Sequence, residues 1–442
     1  MELFRMYDLR GRVPEDINPE IAYKIGRAYV TFLKCKQVMV GHDHRSSSKD
    51  IHTSLIKGIT DQGCDVIDIG LVNTDLMYYA VIKYKKEGGI VVTASHMGKE
   101  FNGMKIVKEK AIPIYGENGN QDLKKLVQEN KWEETEKGKV TKMDLIDEYV
   151  DYILSYTDTS TIKPFKVVCD AGNGMAGLIL PRLFEKLPCE LIPLYLELDG
   201  TFPNHESNPL LPEAREVLKK TVVKEKADLG VIWDGDADRI SMINEKGEFL
   251  QSDILTGIFA KQILKQYPGT AVVYDLRSSW FTKESIESAG GIPVAQRVGH
   301  PFIKIAMKEH DAHFSGELSG HSFFKIMGGY VENGFIPLLI MLKLMSDENK
   351  TPSELAIKSK KYFHSGEINF NVKNKEAVFE RIKEKFKDNK PNFMDGITVE
   401  FDDYHFNVRE SANDPVIRLN LEANSKKLME EKLKELTALI KQ

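Results

Sequence analysis

The sequence predicts an α/β protein: three related α/β units with mixed, mainly parallel sheets, and a smaller α+β domain at the C-terminus. Three observations carry this. A short apolar strand, an amphipathic helix and a second apolar strand recur as "KQVMVGHD" to "DVIDIG", "FKVVCDAGNG" to "ELIPLYLE", and "TAVVYDLRSS" to "IPVAQRVGH". Strands apolar throughout, rather than alternating, belong in parallel sheets covered on both faces. The repeats start near residues 38, 167 and 272, about one small domain apart. The tail then changes character, with the strands "GEINFNV", "GITVEF", "YHFNVRE" and "PVIRLNLEA" between Lys/Glu-rich helices.

The composition agrees. A chain of 442 residues suits two to four domains at roughly 100–200 residues each. The 42% hydrophobic and 29% charged content is ordinary for a globular protein. A formal charge of -5 gives no basis for binding nucleic acid or an anionic membrane. No N-terminal apolar segment and no apolar run long enough to span a bilayer is present, so a cytoplasmic protein is expected. Cys35, Cys64, Cys169 and Cys189 lack zinc-site spacing and are expected to be buried free thiols.

Taken in order, residues 1–157 form the first domain, with "TKMDLIDEYVDYILSYTD" as its closing helix and "KEKAIPIYGENGNQDLKKL" as an exposed hairpin or loop. Residues 158–253, 254–365 and 366–442 form the second, third and fourth.

Each domain carries a segment suited to chemistry. Near the N-terminus "FRMYDLRG" holds Arg5, Tyr7 and Arg10, which could meet an anion or lie on an ordinary surface. "VVTASHMGKEFNGMK" brings Ser95 to the carboxyl end of a buried strand, where parallel α/β sheets bind ligands. Ser95 is either a phosphoryl-accepting hydroxyl or a turn serine capping a helix. Neighbours in an extended chain point to opposite sides, so a protease-type Ser-His dyad within this pair is not expected. Lys105 could supply charge or act as an acid or base.

In "LGVIWDGDADRI" an apolar strand ends at Trp233, and Asp234, Asp236 and Asp238 follow at alternate positions. Three carboxylates this close call for a cation, and a hard divalent ion such as Mg²⁺ suits all-oxygen ligands. Arg239 at the sixth position and the preceding strand exclude an EF-hand. "HFSGELSGHSFF" would place Glu317, Ser319 and His321 on one side of an extended loop, able to read sugar hydroxyls. "NVRESANDPVIRLN" offers Arg409, Ser411, Asn413 and Arg418, either a phosphate cradle or a polar turn.

Together, "FRMYDLRG", "TASHMGKEFNGMK", "DGDADR", "GELSGH" and "RESANDPVIR" resemble the α-D-phosphohexomutase family, in order along the whole chain, with "DGTFPNHESNPLLPE" adding to the match. "GELSGHSFF" and "RVGHPF" resemble its bacterial phosphomannomutase/phosphoglucomutase group. The resemblance implies a four-domain enzyme around a central cleft that interconverts hexose 1- and 6-phosphates through a phosphoserine and a hexose 1,6-bisphosphate. It makes Ser95 the phosphoserine, with Asp234, Asp236 and Asp238 as Mg²⁺ ligands beside a phosphoserine oxygen. Glu317 and Ser319 become sugar readers with His321 beside them, and Arg409, Ser411, Asn413 and Arg418 the distal phosphate site. Tyr7, Arg10, Lys105, Arg239 and His300 would line the cleft, with Arg10 and Lys105 transferring protons or stabilising charge. The partner is then a phosphosugar, and the chain a monomer or homodimer. The sequence departs from the family pattern at Met97-Gly98 and at Ala412. Phosphoglucosamine or phosphopentose mutase activity, or weakly active phosphosugar binding, are the alternatives.

Overall fold

The computed structural model describes residues 3–411 and 415–442, with Glu117 by its backbone alone. The chain divides into two compact units, Met1–Gln251 with Ser319–Glu354, and Ser252–Leu318 with Leu355–Gln442.

The first unit contains two sheets. In the six-stranded sheet the order is Leu9–Arg12, Phe101–Lys108, Gly88–Val92, Gln37–His42, Asp65–Leu71 and Val140–Lys142. In the five-stranded sheet it is Phe249–Leu250, Ile240–Asn244, Leu229–Trp233, Lys166–Asp170 and Glu190–Leu194. A hairpin, Ser322–Ile326 with Gly329–Glu332, also belongs to this unit. In the second unit Ala271–Asp275 lies parallel to Ile292–Gln296 on one side and Phe314–Gly316 on the other. Its other strands, Phe363–Phe370, Ile417–Ala423, Tyr404–Glu410 and Ile397–Glu400, form an antiparallel sheet in that order.

The three repeats share one arrangement. The first strand of each copy lies between its helix-connected successor and a third strand, all parallel. The third strands are Gly88–Val92, Leu229–Trp233 and Phe314–Gly316. Their carboxyl ends run into "TASH", "DGDADR" and "ELSGH", so equivalent strand ends carry the candidate residues.

Local chemistry explains the elements. Helix Pro19–Leu33 opens on Asn18, whose side chain accepts from the Ile21 amide at 3.1 Å, with proline at the first position. It buries Ala22, Ile25, Ala28 and Tyr29, in one core with Ile51, Leu55 and Ile59 of helix Ser48–Asp61. Burying an Ile or Leu side chain contributes about 1.5–3 kcal/mol. The tail sheet packs Phe406, Val408, Leu419 and Leu421 with Leu436 and Ile440 of the helix Lys426–Lys441.

Two expectations need correction. The "KEKAIPIYGENGNQDLKKL" segment is no exposed loop, because Ala111, Ile114, Tyr115 and Asn120 are buried and Gln121–Glu129 is a helix. Leu123 and Val127, one helical turn apart, join the core and outweigh the Gly/Asn turn signals. The helix expected from Thr141 spans Ile146–Leu154, and Val140–Lys142 before it pairs as an edge strand. The four cysteines are free, Cys189 half-buried and the others buried. Among the described residues, no helix is long and apolar enough to cross a membrane.

Candidate active site

Strand Gly88–Val92 is buried throughout and leads through Thr93 and Ala94 to Ser95, itself fully buried. The Ser95 amide donates to Thr93 Oγ1 at 3.0 Å, and its φ is +51°. A left-handed, non-glycine residue costs about 1–3 kcal/mol and persists only where its surroundings enforce it. That backbone corrects the extended-chain premise, though not the absence of a protease-type dyad. The chain is not extended at Ser95, and His96 Nδ1 stands 3.2 Å from Ser95 Oγ. Burial, then Arg239, Arg10, His321 and Lys105, push the imidazole well below its usual pKa, so it is neutral at neutral pH. Ser95 Oγ donates to Asp234 Oδ2 at 2.7 Å.

Asp234, Asp236 and Asp238 are buried, and each offers one carboxylate oxygen within 4.8 Å of the others. Two backbone features make this possible. Ala237 takes a left-handed turn at φ +61°. At Gly235 a Cβ would come within 2.5 Å of the Ser95 carbonyl oxygen, so only glycine lets this loop approach the serine. Asp236 Oδ2 accepts from Thr74 Oγ1 at 2.6 Å and Lys105 Nζ at 2.7 Å. Lys105 also bonds Asp238 Oδ2.

Burial works against the Lys105 charge, but Asp236, Asp238 and Asp234 outweigh it and raise its pKa. These carboxylates hold Lys105 in its charged form. Burial, then Asp236 and Asp238, push the Asp234 carboxyl up to about 7. Burial acts the same way on Asp238, but Lys105 and His321 win and hold it well below the usual range. Asp236 Oδ1 is buried without a hydrogen-bond donor, and Asp238 Oδ1 has only the His321 imidazole, at 3.4 Å. Clustered, under-compensated carboxylates with an oxygen lacking a donor fit a hard divalent cation.

Arg10 lies on the strand Leu9–Arg12, paired with Gly103 and joined to Asp8 at 2.7 Å. A Cβ at Gly103 would meet the Leu9 carbonyl oxygen at 2.0 Å, so this pairing needs glycine. Tyr7 is half-buried and Arg5 exposed. Arg239 Nε approaches His321 Nε2 at 3.1 Å, and the Arg239 amide donates to Asp234 Oδ1 at 3.1 Å. His321 Nδ1 lies 3.0 Å from Ser319 Oγ. Leu318–Gly320 is a turn with Gly320 at φ +92°, not the expected extended loop.

In the second unit, Glu317 Oε1 accepts from the Gly299 amide at 3.0 Å, beside His300 at the start of helix His300–Glu309. Arg409 and Arg418 are cross-strand neighbours. They meet Glu367 at 3.0 and 3.2 Å, and Arg277 meets the same carboxylate at 2.7 Å. Burial alone would raise the Glu367 pKa, but Arg277, Arg409 and Arg418 lower it. Ser411 is buried, its amide donating to the Val416 carbonyl at 3.0 Å. Asn413 lies outside the described residues.

Four residues escaped the sequence reading: Arg45, Thr74, Arg277 and Glu367. Arg45 and Arg277 follow the carboxyl ends of the strands Gln37–His42 and Ala271–Asp275, so the rule that found Ser95 would have found them. Thr74 opens a helix, and Glu367 is one glutamate within a strand. Neither carries a sequence signal.

Comparison with known proteins decides the family. Models of phosphoglucomutase/phosphomannomutase α/β/α domains I, II and III match residues 1–134, 147–247 and 251–362. The chain belongs to the phosphoglucomutase/phosphomannomutase family. It is thus an isomerase, an intramolecular phosphotransferase by class. It is 39% identical to the phosphomannomutase of Vibrio cholerae serotype O1, over 99% of this chain and 98% of that protein. The crystal structure of a phosphoglucomutase/phosphomannomutase family protein from Burkholderia thailandensis is 29% identical, with a TM-score of 0.91 over 99% of this chain and 96% of that one. More distant is the N-acetylphosphoglucosamine mutase of Aspergillus fumigatus in complex with GlcNAc-6P and magnesium. It is 13% identical, with a TM-score of 0.64 over 100% of this chain and 96% of that one, a likeness of fold.

Proposed function

We propose that this enzyme interconverts the 1- and 6-phosphates of mannose, glucose or both, through a phosphoserine at Ser95 and a hexose 1,6-bisphosphate. The carrying observation is the 2.7 Å contact between Ser95 Oγ and Asp234, one of three buried carboxylates whose oxygens lie within 4.8 Å of one another. Phosphoryl transfer asks a protein mainly for in-line positioning and for neutralisation of developing charge. Ser95, on a conformationally enforced backbone, supplies the position. Lys105 and Arg10 supply fixed positive charge, since both pKa values are raised.

Mg²⁺ on Asp234, Asp236, Asp238 and a phosphoserine oxygen would add Lewis-acid stabilisation of the transferring group. The magnesium complex of the fungal mutase and the fit of these carboxylates support that ligand set. Glu317 and Ser319, with His321 beside them, take the sugar hydroxyls. Arg409, Ser411, Asn413 and Arg418 take the phosphate that is not being transferred, and Tyr7, Arg239 and His300 contact the substrate in between. The bisphosphate must turn over between two half-reactions, so one distal cradle serves both of its ends. Domains of 1–157, 158–253, 254–365 and 366–442 then contribute one loop each, with the N-terminal segment in addition.

The test is a coupled mutase assay on glucose 1-phosphate, mannose 1-phosphate and glucosamine 1-phosphate, with Mg²⁺ and a trace of hexose 1,6-bisphosphate. Formation of the 6-phosphate from a mannose or glucose substrate supports the reading. Turnover of glucosamine 1-phosphate alone, or release of free phosphate without isomerisation, overturns it.

A further inference from the structure

The segment "DGTFPNHESNPLLPE" and the turn before helix Ser48–Asp61 have no part in that chemistry, yet they meet at one residue. Arg45 is 3% exposed. Its Nη2 donates to the carbonyls of Ser95 at 2.8 Å and Met97 at 2.7 Å. Its Nη1 donates to those of Gly98 at 2.8 Å and Phe101 at 3.1 Å. One guanidinium thus holds four carbonyls of the loop that begins at the serine. Within the loop the Met97 amide donates to the Ala94 carbonyl and the Phe101 amide to the Gly98 carbonyl, both at 3.1 Å, and Arg45 ties these short turns to one anchored side chain.

Arg45 is itself held on two sides. Asp43 Oδ2 lies 3.2 Å from its Nε, and Asp43 Oδ1 accepts from the Arg45 amide at 3.0 Å and from Ser48 Oγ. The Phe202 ring lies 5.0 Å from the guanidinium carbon and meets the His44 ring edge-on at 5.4 Å. A Cβ at Gly200 would come within 2.7 Å of the Arg45 Cα, so that turn sits directly on the arginine. The Phe202 amide donates to the Asp199 carbonyl at 3.0 Å, fixing the turn that carries the ring.

We propose that Arg45, backed by Phe202, is a positioning residue that fixes the Ser95 loop in its reactive conformation. The proposal rests on Ser95 being the phosphoryl carrier. Lysine cannot replace the arginine, because an ammonium has three donors on one atom and no planar fork to span four carbonyls. Phe202→Leu leaves the hydrogen bonds intact but removes the ring behind them.

The test measures kcat and KM for glucose 1-phosphate, thermal midpoint, and amide exchange over residues 95–101 in full-length Arg45→Lys, Phe202→Leu and Ser95→Ala proteins. Arg45→Lys should fold, keep KM within about twofold, and lose about 100-fold in kcat, with faster exchange confined to the loop. Phe202→Leu should lose about tenfold in kcat in the same pattern. If Arg45→Lys does not fold, Phe202→Leu decides alone. Wild-type kcat in the folded variants, or a loss carried in KM instead, overturns the proposal. Ser95→Ala separates the two claims. If it stays active, Ser95 is not the carrier and the proposal falls with it. If it is dead while Arg45→Lys is normal, only the positioning role is rejected.

Discussion

Among the described residues two clusters of like charge stand out, a buried acidic one and a partly exposed basic one. In the first unit three carboxylates, Asp234, Asp236 and Asp238, gather around Lys105. In the second unit three guanidiniums, Arg277, Arg409 and Arg418, gather around Glu367. Each sets a repelling group against opposite charge, Lys105 with Arg239 and His321 in the first, Glu367 with Asp275 in the second. Asp236 Oδ1 lacks a donor, Asp238 Oδ1 has the His321 imidazole at 3.4 Å, and Arg409 Nε lacks an acceptor. In the proposed reaction the first would take a cation and the second an anion.

The compensation differs. Burial and its neighbours push Asp234 up to about 7, so the acidic cluster takes up a proton near neutrality. Glu367 is instead held below its usual value, and its arginine partners stay charged at any working pH. The acidic cluster should therefore respond to pH and chelation, and the basic one to neither.

Of the two clusters, the acidic one should give the larger effect. Asp236→Asn removes a carboxylate that bonds both Lys105 and Thr74, and should lower Mg²⁺ affinity and kcat by at least about 10- to 100-fold. Isothermal titration with Mg²⁺ and steady-state kinetics check this. Unchanged affinity would remove the metal from the comparison. Arg409→Ala should act in the other parameter. It deletes a charge-assisted phosphate contact of about 1.5–3 kcal/mol, and KM should rise about 10- to 100-fold with kcat little changed. An unchanged KM for both hexose 1-phosphates would dissolve the anion site.

Glu367→Gln tests the counter-charge itself. Leaving three guanidiniums without it should lower the thermal midpoint by about 2–4 °C, and inorganic phosphate should restore more of that loss than it adds to wild type. A midpoint unmoved by phosphate in both proteins would argue against the cradle.

The smallest effect is graded. Asp234 is raised from 3.8 to about 7. Its contribution to stability is therefore fully present below 3.8 and lost as pH rises through about 7. In chelator, melting should rise modestly as pH falls from 8 to 6, whereas Mg²⁺ affinity should fall, because the ion must displace a proton. Melting in chelator that instead falls over that interval would contradict the Asp234 assignment.

Much of this was legible in the sequence, for a physical reason. Parallel strands are continuous apolar runs, and ligands gather at their carboxyl ends, so the three repeats pointed directly at Ser95, Asp234 and Glu317. What was not legible depends on backbone angles and on partners remote in sequence. The φ of +51° at Ser95 accompanies a local bond to Thr93 and a remote one to Asp234, 139 residues away, and the remote partner carries no signal in "TASH". Glu367 reads as an ordinary strand residue until Arg277, Arg409 and Arg418 close on it. Arg45 was within reach of the strand-end rule, but its four carbonyl partners lie 50 to 56 residues away.

The central claim is that Ser95 carries the phosphoryl group, and intact-mass analysis of a single turnover tests it most directly. Protein pre-phosphorylated with hexose 1,6-bisphosphate, freed of excess ligand and mixed with glucose 1-phosphate or mannose 1-phosphate in Mg²⁺, should lose one phosphate from the Ser95 peptide. A matching amount of hexose 1,6-bisphosphate should form, and Ser95→Ala should neither take up the phosphate nor turn over, with kcat down at least about 1000-fold. A Ser95→Ala protein of near-normal mutase activity, or a phosphate mapped to another residue, would contradict the account.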